Sequence, residues 1–168
     1  MHASKVAQSR VAQATSLAYI RSMTPDRLFR LASTLVGPCW LLLLLAPRWR
    51  WTQRIVTFAW PLVVAVLYVY LLVSHPSPPG SGFSTLAQVT ALFSSPYALV
   101  AGWIHYLAFD LFVGAWETRD GLRLGISRWV LLPCQLLTFF FGPAGLALYL
   151  LLKLLLRGKV GAEPDEAA

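Results

Sequence analysis

Charged residues are scarce in this chain, and acidic residues are the scarcer sign. Of its 168 residues, 57% are hydrophobic and 12% are charged, with 7 Asp or Glu against 14 Lys or Arg. A soluble globular domain is about one quarter charged, so this composition, with a mean hydropathy of +0.62, predicts an integral membrane protein. The net charge is +7, and the basic residues lie beside hydrophobic runs. This position favours an anionic membrane surface over nucleic acid as their partner.

Histidine and cysteine are also rare, which excludes most metal and haem sites. The chain has 3 His and 2 Cys, and only His105 falls within a hydrophobic run. One copy of the chain therefore cannot hold haem between two embedded histidines. No C-x-x-C, H-x-x-H or E-x-x-H spacing occurs, and there is no Walker loop or dinucleotide fingerprint. The sequence predicts no metal and no cofactor.

Long hydrophobic runs, in contrast, are plentiful. Four of them predict membrane-spanning helices, at about 31–47, 55–73, 96–116 and 129–152. The runs are continuous and not alternating, which indicates helices and excludes a β-barrel. The predicted fold class is therefore all-α, an integral membrane four-helix bundle within residues 29–155. A short interfacial helix capped by Ser84 is predicted between the second and third spans.

The segments outside the spans differ in charge and bear on the orientation of the protein in the membrane. Residues 1–28 form a basic N-terminal segment of interfacial or targeting character, and residues 156–168 form a disordered tail. Loops 48–54 and 117–128 carry three basic residues each, which favours a cytoplasmic or stromal location for both. The basic N-terminal segment favours the opposite orientation, so the topology stays open. The predicted location is a bacterial inner membrane or a plastid membrane, multi-pass, and the sequence does not indicate an oligomeric state.

Two ionisable residues lie in the third predicted span, where charge is costly. On a helix with about 100° per residue, Asp110 lies about 140° around from His105, so the two are not i,i+4 partners. Tyr106 precedes Asp110 by one helical turn and is its expected hydrogen-bond partner. Because an apolar surrounding favours a protonated carboxyl as an acid and a neutral imidazole as a base, Asp110 and His105 are the candidate catalytic residues.

The fourth predicted span offers a matching polar surface. At spacings of 3, 4, 3 and 4 it carries polar or small residues that let helices approach closely: Gln135, Thr138, Gly142, Gly145 and Tyr149. The Gly142–Pro143 pair is expected to bend the helix and free a backbone carbonyl. We predict a cavity for a lipophilic ligand, and the predicted substrate-binding residues are Trp103, Tyr106, Phe109, Gln135, Thr138 and Gly142.

Two segments resemble a known family: 82–120, GFSTLAQVTALFSSPYALVAGWIHYLAFDLFVGAWETRD, and 131–152, LLPCQLLTFFFGPAGLALYLLL. The family is the neoxanthin-synthase-like membrane proteins, also described as abscisic-acid-deficiency-4-like, whose role in bacteria is largely unknown. The resemblance is carried by W-x-H-Y-x-x-x-D-L-x-x-G, from Trp103 to Gly114, and by the later G-P-x-G. It implies a four-span protein of carotenoid metabolism, which in plants is linked to the cofactor-free isomerisation of violaxanthin to neoxanthin.

Three functions stay open on the sequence alone. The first is an isomerase that opens a carotenoid epoxide, with Asp110 as the acid and His105 as the base. The second is a non-catalytic scaffold that binds pigment or lipid, in which these polar residues only join helices. The third is a small transporter, which requires a polar path to both interfaces. The expected partners are a carotenoid or another polyisoprenoid and membrane lipids, with no nucleic acid.

Overall fold

The computed structural model describes residues 23–157, and this part of the chain is α-helical with no strand. Its helices, in chain order, are α1 Pro25–Leu45, α2 Arg50–Ser74, α3 Leu86–Phe93, α4 Pro96–Arg123, α5 Arg128–Phe141 and α6 Pro143–Arg157. The predicted basic segment, up to residue 22, and the predicted tail, from residue 158, lie outside the described residues.

Three of these helices are long and apolar enough to cross a membrane. They are α1, α2 and α4, with 21, 25 and 28 residues. Helices α5 and α6 are apolar but have only 14 and 15 residues. At a rise of 1.5 Å per residue their lengths are about 21 Å and about 23 Å, which is shorter than the ~30 Å hydrocarbon core of a bilayer. The predicted four-helix bundle is therefore not confirmed within the described part of the chain.

Helix α4 is central, and the other helices pack around it. α1 runs parallel to α4, because Phe29 lies 5.2 Å from Trp103 near one end while Trp40 packs on Gly114 farther along. A Cβ at Gly114 would lie 2.5 Å from the Trp40 ring, so the missing side chain sets this close approach. α2 runs the opposite way, since His75, directly after its last residue, stacks on Tyr97 in the first turn of α4. This packing leaves one face of α4 for α5 and α6.

The predicted fourth span, 129–152, is two helices that fold back on each other at Gly142. The φ of Gly142 is +44°, a left-handed conformation that glycine adopts without steric cost. A Cβ at Gly145 would lie 2.5 Å from the Cys134 carbonyl oxygen, although one continuous helix would separate these residues by about 16 Å. We call α5 and α6 the hairpin. Its tip lies against Asp110 in the middle of α4, and both of its open ends lie beside the last turns of α4.

Two boundaries differ from those predicted. Helix α4 runs on to Arg123, so most of the predicted polar turn 117–128 is helical. The short helix α3 is present, but its N-cap is Thr85 and not Ser84. The Thr85 hydroxyl accepts a hydrogen bond from the Gln88 backbone N–H at 3.2 Å, the usual N-cap contact, and the Gln88 side-chain oxygen accepts from the Ser84 backbone N–H at 3.1 Å.

One end of the bundle carries most of its positive charge. The α1–α2 and α4–α5 connections meet there, and the Arg128 guanidinium donates to the Leu44 carbonyl oxygen. We call this the basic end. Its arginines are Arg48, Arg50, Arg54, Arg119, Arg123 and Arg128.

Candidate functional site

One face of α4 carries polar side chains that the hairpin covers. Each is at most 8% exposed: Asp110, Glu117, Thr118 and Asp120. Their spacing along α4 keeps them within one side of the helix. Because buried polar groups are costly unless they are hydrogen-bonded, the contacts that the hairpin makes with this face define the site.

Asp110 lies at the hairpin tip. A Cβ at Gly142 would lie 2.6 Å from Asp110 Oδ1, so only glycine leaves room for this carboxyl. The Tyr106 hydroxyl donates to the Phe140 carbonyl oxygen at 3.1 Å and also lies close to the Asp110 carboxyl. The Phe140 carbonyl is free because α5 ends here. Asp110 Oδ2 has no hydrogen-bond partner among residues 23–157.

A second layer of contacts lies about two helical turns farther along α4. The Thr138 hydroxyl donates to Glu117 Oε1 at 2.9 Å, and Gln135 Nε2 donates to the Thr118 hydroxyl at 2.5 Å. Glu117 is fully buried, yet its Oε2 has no hydrogen-bond partner in the described part of the chain. Gln135 and Thr138 therefore join the hairpin to α4.

Asp120 forms the third layer, next to the basic end. Its Oδ2 accepts from the Tyr149 hydroxyl at 2.5 Å and pairs with Lys153 Nζ at 2.8 Å, while Oδ1 pairs with Arg123 at 3.0 Å. The Lys153 side chain is 11% exposed, but that of Arg123 is 56% exposed. The buried pair thus joins α6 to α4, whereas the Arg123 pair is a surface contact within α4.

An apolar groove of about 540 Å³ leads from the start of α1 to Tyr106. Its aromatic walls come from Phe29 on α1, Phe93 on α3 and Trp103 on α4. The Trp103 indole N–H donates to the Ser33 hydroxyl at 2.8 Å, and its ring lies 5.4 Å from that of Tyr106. We call this the Trp103 groove. Tyr106 lines this groove and also contacts the hairpin tip, through the Phe140 carbonyl oxygen.

His105 opens onto a different groove, on the other side of α4. This His105 groove, about 550 Å³, lies between α2 and α4. The His105 ring stacks on Phe109 at 4.5 Å and lies 6.0 Å from Tyr68. Asp110 faces the hairpin instead, so the structure does not bring the two candidate catalytic residues into one cavity. Their placement follows the angular separation expected on a helix.

The predicted substrate-binding residues fall in three places. Trp103 and Tyr106 line the Trp103 groove, and Phe109 lines the His105 groove. The remaining three lie in the contact between α4 and the hairpin: Gln135, Thr138 and Gly142.

The buried acidic residues beyond Asp110 were not expected in the site. The sequence pattern places Glu117, Thr118 and Asp120 in a polar turn and Lys153 at the end of a span. One signal points to Glu117, because a spacing of seven residues from Asp110 returns to the same helical face. For Asp120 and Lys153, only the reversal at Gly142 brings the partners together.

Glu117→Gln is expected to change the free energy of unfolding by no more than about 1 kcal/mol. The amide keeps the shape of the side chain, and its oxygen still accepts from Thr138. Glu117→Ala, the control, removes the hydrogen bond and leaves a cavity, which costs about 2 kcal/mol. Thermal unfolding of the detergent-purified variants measures both. A Gln variant as unstable as the Ala variant would mean that the charge of this carboxylate is required.

The chain is similar to a described family and to a plant protein. A family model described as ABA DEFICIENT 4-like matches residues 27–149. Protein ABA DEFICIENT 4, chloroplastic, from Arabidopsis thaliana is 28% identical over 141 residues, which cover 78% of this chain and 62% of that protein. The chain thus spans about three fifths of the length of the curated relative that it matches. No solved structure matches the chain.

Proposed function

The chain belongs to the ABA DEFICIENT 4-like family, and from this premise we propose that it is an integral membrane protein that isomerises a carotenoid epoxide. The proposed reaction is of the violaxanthin-to-neoxanthin type, in a plastid membrane or a bacterial inner membrane. One observation carries the proposal. Tyr106 lines the apolar Trp103 groove, and its hydroxyl lies close to the buried carboxyl of Asp110.

The reaction needs a proton at the epoxide oxygen and a base for a hydrogen on the adjacent carbon. In the proposed mechanism, Asp110 passes its proton through the Tyr106 hydroxyl to the epoxide oxygen as a C–O bond of the epoxide breaks. The adjacent C–H bond then breaks, and its electrons form the new double bond of the allene. The released proton returns through Tyr106 to the Asp110 carboxylate. The product has the composition of the substrate, so no cofactor is consumed.

Tyr106 takes the place that the sequence pattern gave to His105. A group that exchanges protons with a substrate must lie within hydrogen-bonding reach of it. Tyr106 lines the groove and faces Asp110, whereas His105 lines the groove on the other side of α4. The hairpin also keeps Asp110 at 8% exposure, which favours proton transfer to the substrate over exchange with water.

The test is expression in a carotenoid-producing host, with and without violaxanthin, followed by chromatography of the pigments. We expect a new pigment only where violaxanthin is present. Tyr106→Phe and Asp110→Asn should each lower its yield by about 100-fold. Tyr97→Phe is the matched control, because the Tyr97 hydroxyl donates to the Met23 carbonyl oxygen and lies a long way from Asp110 along α4. His105→Ala should also retain the product.

The outcomes separate the possible roles of these residues. New pigment at undiminished yield from Tyr106→Phe and Asp110→Asn would overturn the proposed proton carriers. Loss of the pigment in His105→Ala, with Tyr106→Phe active, would return the role of base to His105. Gel filtration of each variant establishes that a loss of product is not a loss of folded protein.

A pigment-binding scaffold is the second candidate, and the two grooves favour it. Both are apolar and lie on opposite sides of α4, so each can hold a length of polyene without any chemistry. Unchanged pigment that copurifies with the protein would support this function over catalysis. Transport has less support, because the buried polar face of α4 begins at Asp110 and extends only toward the basic end.

A further inference from the structure

The basic end contains a cavity of about 340 Å³ between the α1–α2 connection and the start of α5. Two arginines line it, Arg48 from the first connection and Arg128 from α5, together with the hydroxyl-bearing Ser127. Its deeper wall is the buried pair of Thr118 and Gln135. No acidic side chain lines it within the described residues.

The acidic groups nearest to the cavity are already engaged. Asp120 pairs with Arg123 and Lys153, and Glu117 is fully buried with its Oε1 bonded to Thr138. The positive charge of the two lining arginines is therefore not neutralised from within the described part of the chain. A cavity with this charge selects an anion.

The donors that face the cavity match a phosphate group. A guanidinium has five N–H donors, and the Leu44 carbonyl engages only one nitrogen of Arg128. Arg48 forms no ion pair with the rest of residues 23–157. Ser127 is the N-cap of α5, yet its side chain makes no capping hydrogen bond. Arginine forks and a hydroxyl are the usual ligands of phosphate oxygens.

The apolar part of the cavity indicates what carries the phosphate. Leu43, Leu122 and Ile126 line it, and Trp129 stands at its edge with 80% of its surface exposed. Exposed tryptophans beside arginines are typical of the headgroup level of a bilayer. We propose that this cavity binds the phosphate of an anionic phospholipid, with the glycerol and first acyl carbons against these apolar side chains. The proposal rests on the proposed membrane location and on none of the pigment chemistry.

The chain provides a matched control for general attraction between the basic end and anionic lipid. Arg50 and Arg54 lie at the same end, but neither lines the cavity. Each places its guanidinium 5.1 Å from the centroid of the Trp51 ring. Replacing both with Gln removes the same charge as replacing Arg48 and Arg128, without changing the cavity. The two double variants therefore separate a shaped site from surface charge.

The experiment measures lipid binding to the full chain in detergent by native mass spectrometry. The ligands are phosphatidylglycerol, phosphatidylcholine and inorganic phosphate. We expect phosphatidylglycerol to bind at least about tenfold more tightly than phosphatidylcholine. The double variant of Arg48→Gln and Arg128→Gln should lose at least about tenfold in that affinity, and the double variant of Arg50→Gln and Arg54→Gln should keep it. Arg48→Gln alone replaces the first double variant if that variant unfolds.

Three results would overturn the proposal. Equal losses in both double variants would mean that only surface charge attracts the lipid. Inorganic phosphate that displaces phosphatidylglycerol at equal concentration would assign the cavity to a soluble phosphate compound. Equal binding of phosphatidylglycerol and phosphatidylcholine would exclude an anionic site. None of these results depends on pigment conversion, so failure of this proposal and failure of the isomerase proposal are distinguishable.

Discussion

Gly145→Ala is expected to push α5 and α6 apart and to destabilise the folded protein strongly. The added Cβ would overlap the backbone nitrogen and hydroxyl of Thr138 and would lie 2.5 Å from the Cys134 carbonyl oxygen. Two of these three atoms belong to the backbone of α5 and cannot rotate away. Overpacking of this kind costs about 1–3 kcal/mol or more, and here it also displaces Thr138 from Glu117. We expect the variant to aggregate or to unfold well below the parent temperature.

Gly37→Ala is the matched control for this prediction. Gly37 also lies in a helix, but a Cβ there would have no atom within 4 Å. Alanine in a helix interior is favoured over glycine by about 0.5–1 kcal/mol, so this variant should be as stable as the parent or slightly more stable. Gel filtration and thermal unfolding in detergent compare the two. A Gly145→Ala protein that unfolds with the parent would show that α5 and α6 are not in close contact.

The interruption of the helix at Gly142–Pro143 was predictable, but the change in chain direction there was not. A proline after a glycine indicates that the helix is interrupted. The sequence does not say whether the next helix continues at a small angle or reverses. Reversal depends on the positive φ of Gly142 and on a partner for each face of the two short helices, which is a tertiary property. The contrast with Gly37–Pro38 supports this, because α1 passes through that pair without ending.

The extension of α4 to Arg123 was not predicted, for a related reason. Residues 117–120 read as a polar connection because charged residues outside an apolar run normally face water. They are helical because the hairpin covers them and supplies their hydrogen bonds. The sequence stripe of Gln135 and Thr138 did indicate a polar contact between helices. Its partners, Glu117 and Thr118, lay beyond the predicted end of the third span.

Helical periodicity alone predicted the separation of the two candidate catalytic residues. Five residues correspond to about 140° of rotation, and in the structure His105 lines the His105 groove whereas Asp110 faces the hairpin tip. It also predicted Tyr106 as the neighbour of Asp110. Where the apolar grooves lie around α4 was not predictable, because that depends on how α1, α2 and α3 pack on it.

Lys153→Met is expected to lower the free energy of unfolding by about 3 kcal/mol, because it leaves a buried carboxylate with less compensation. Asp120 is 4% exposed and would keep its contacts with the Tyr149 hydroxyl and Arg123. The expected loss of stability therefore lies at the lower end of the range for a broken buried ion pair, about 3–5 kcal/mol. Arg123→Gln is the control on the same carboxylate. Its side chain is 56% exposed, and a surface pair of this kind contributes less than about 1 kcal/mol.

The double variant of Asp120→Asn and Lys153→Met distinguishes the cost of an unpaired charge from the loss of packing. With the charge of the carboxylate removed as well, most of the stability lost in Lys153→Met should return, because a neutral pair of similar volume is tolerated where an ion pair is buried. Equilibrium unfolding of the four proteins in a double-mutant cycle gives the coupling free energy between the two residues. Contacting residues usually show a coupling of about 0.5–3 kcal/mol, and we expect about 1 kcal/mol or more here. Additive losses would mean that Lys153 and Asp120 stabilise the hairpin independently, and the buried pair would then not be what holds α6 to α4.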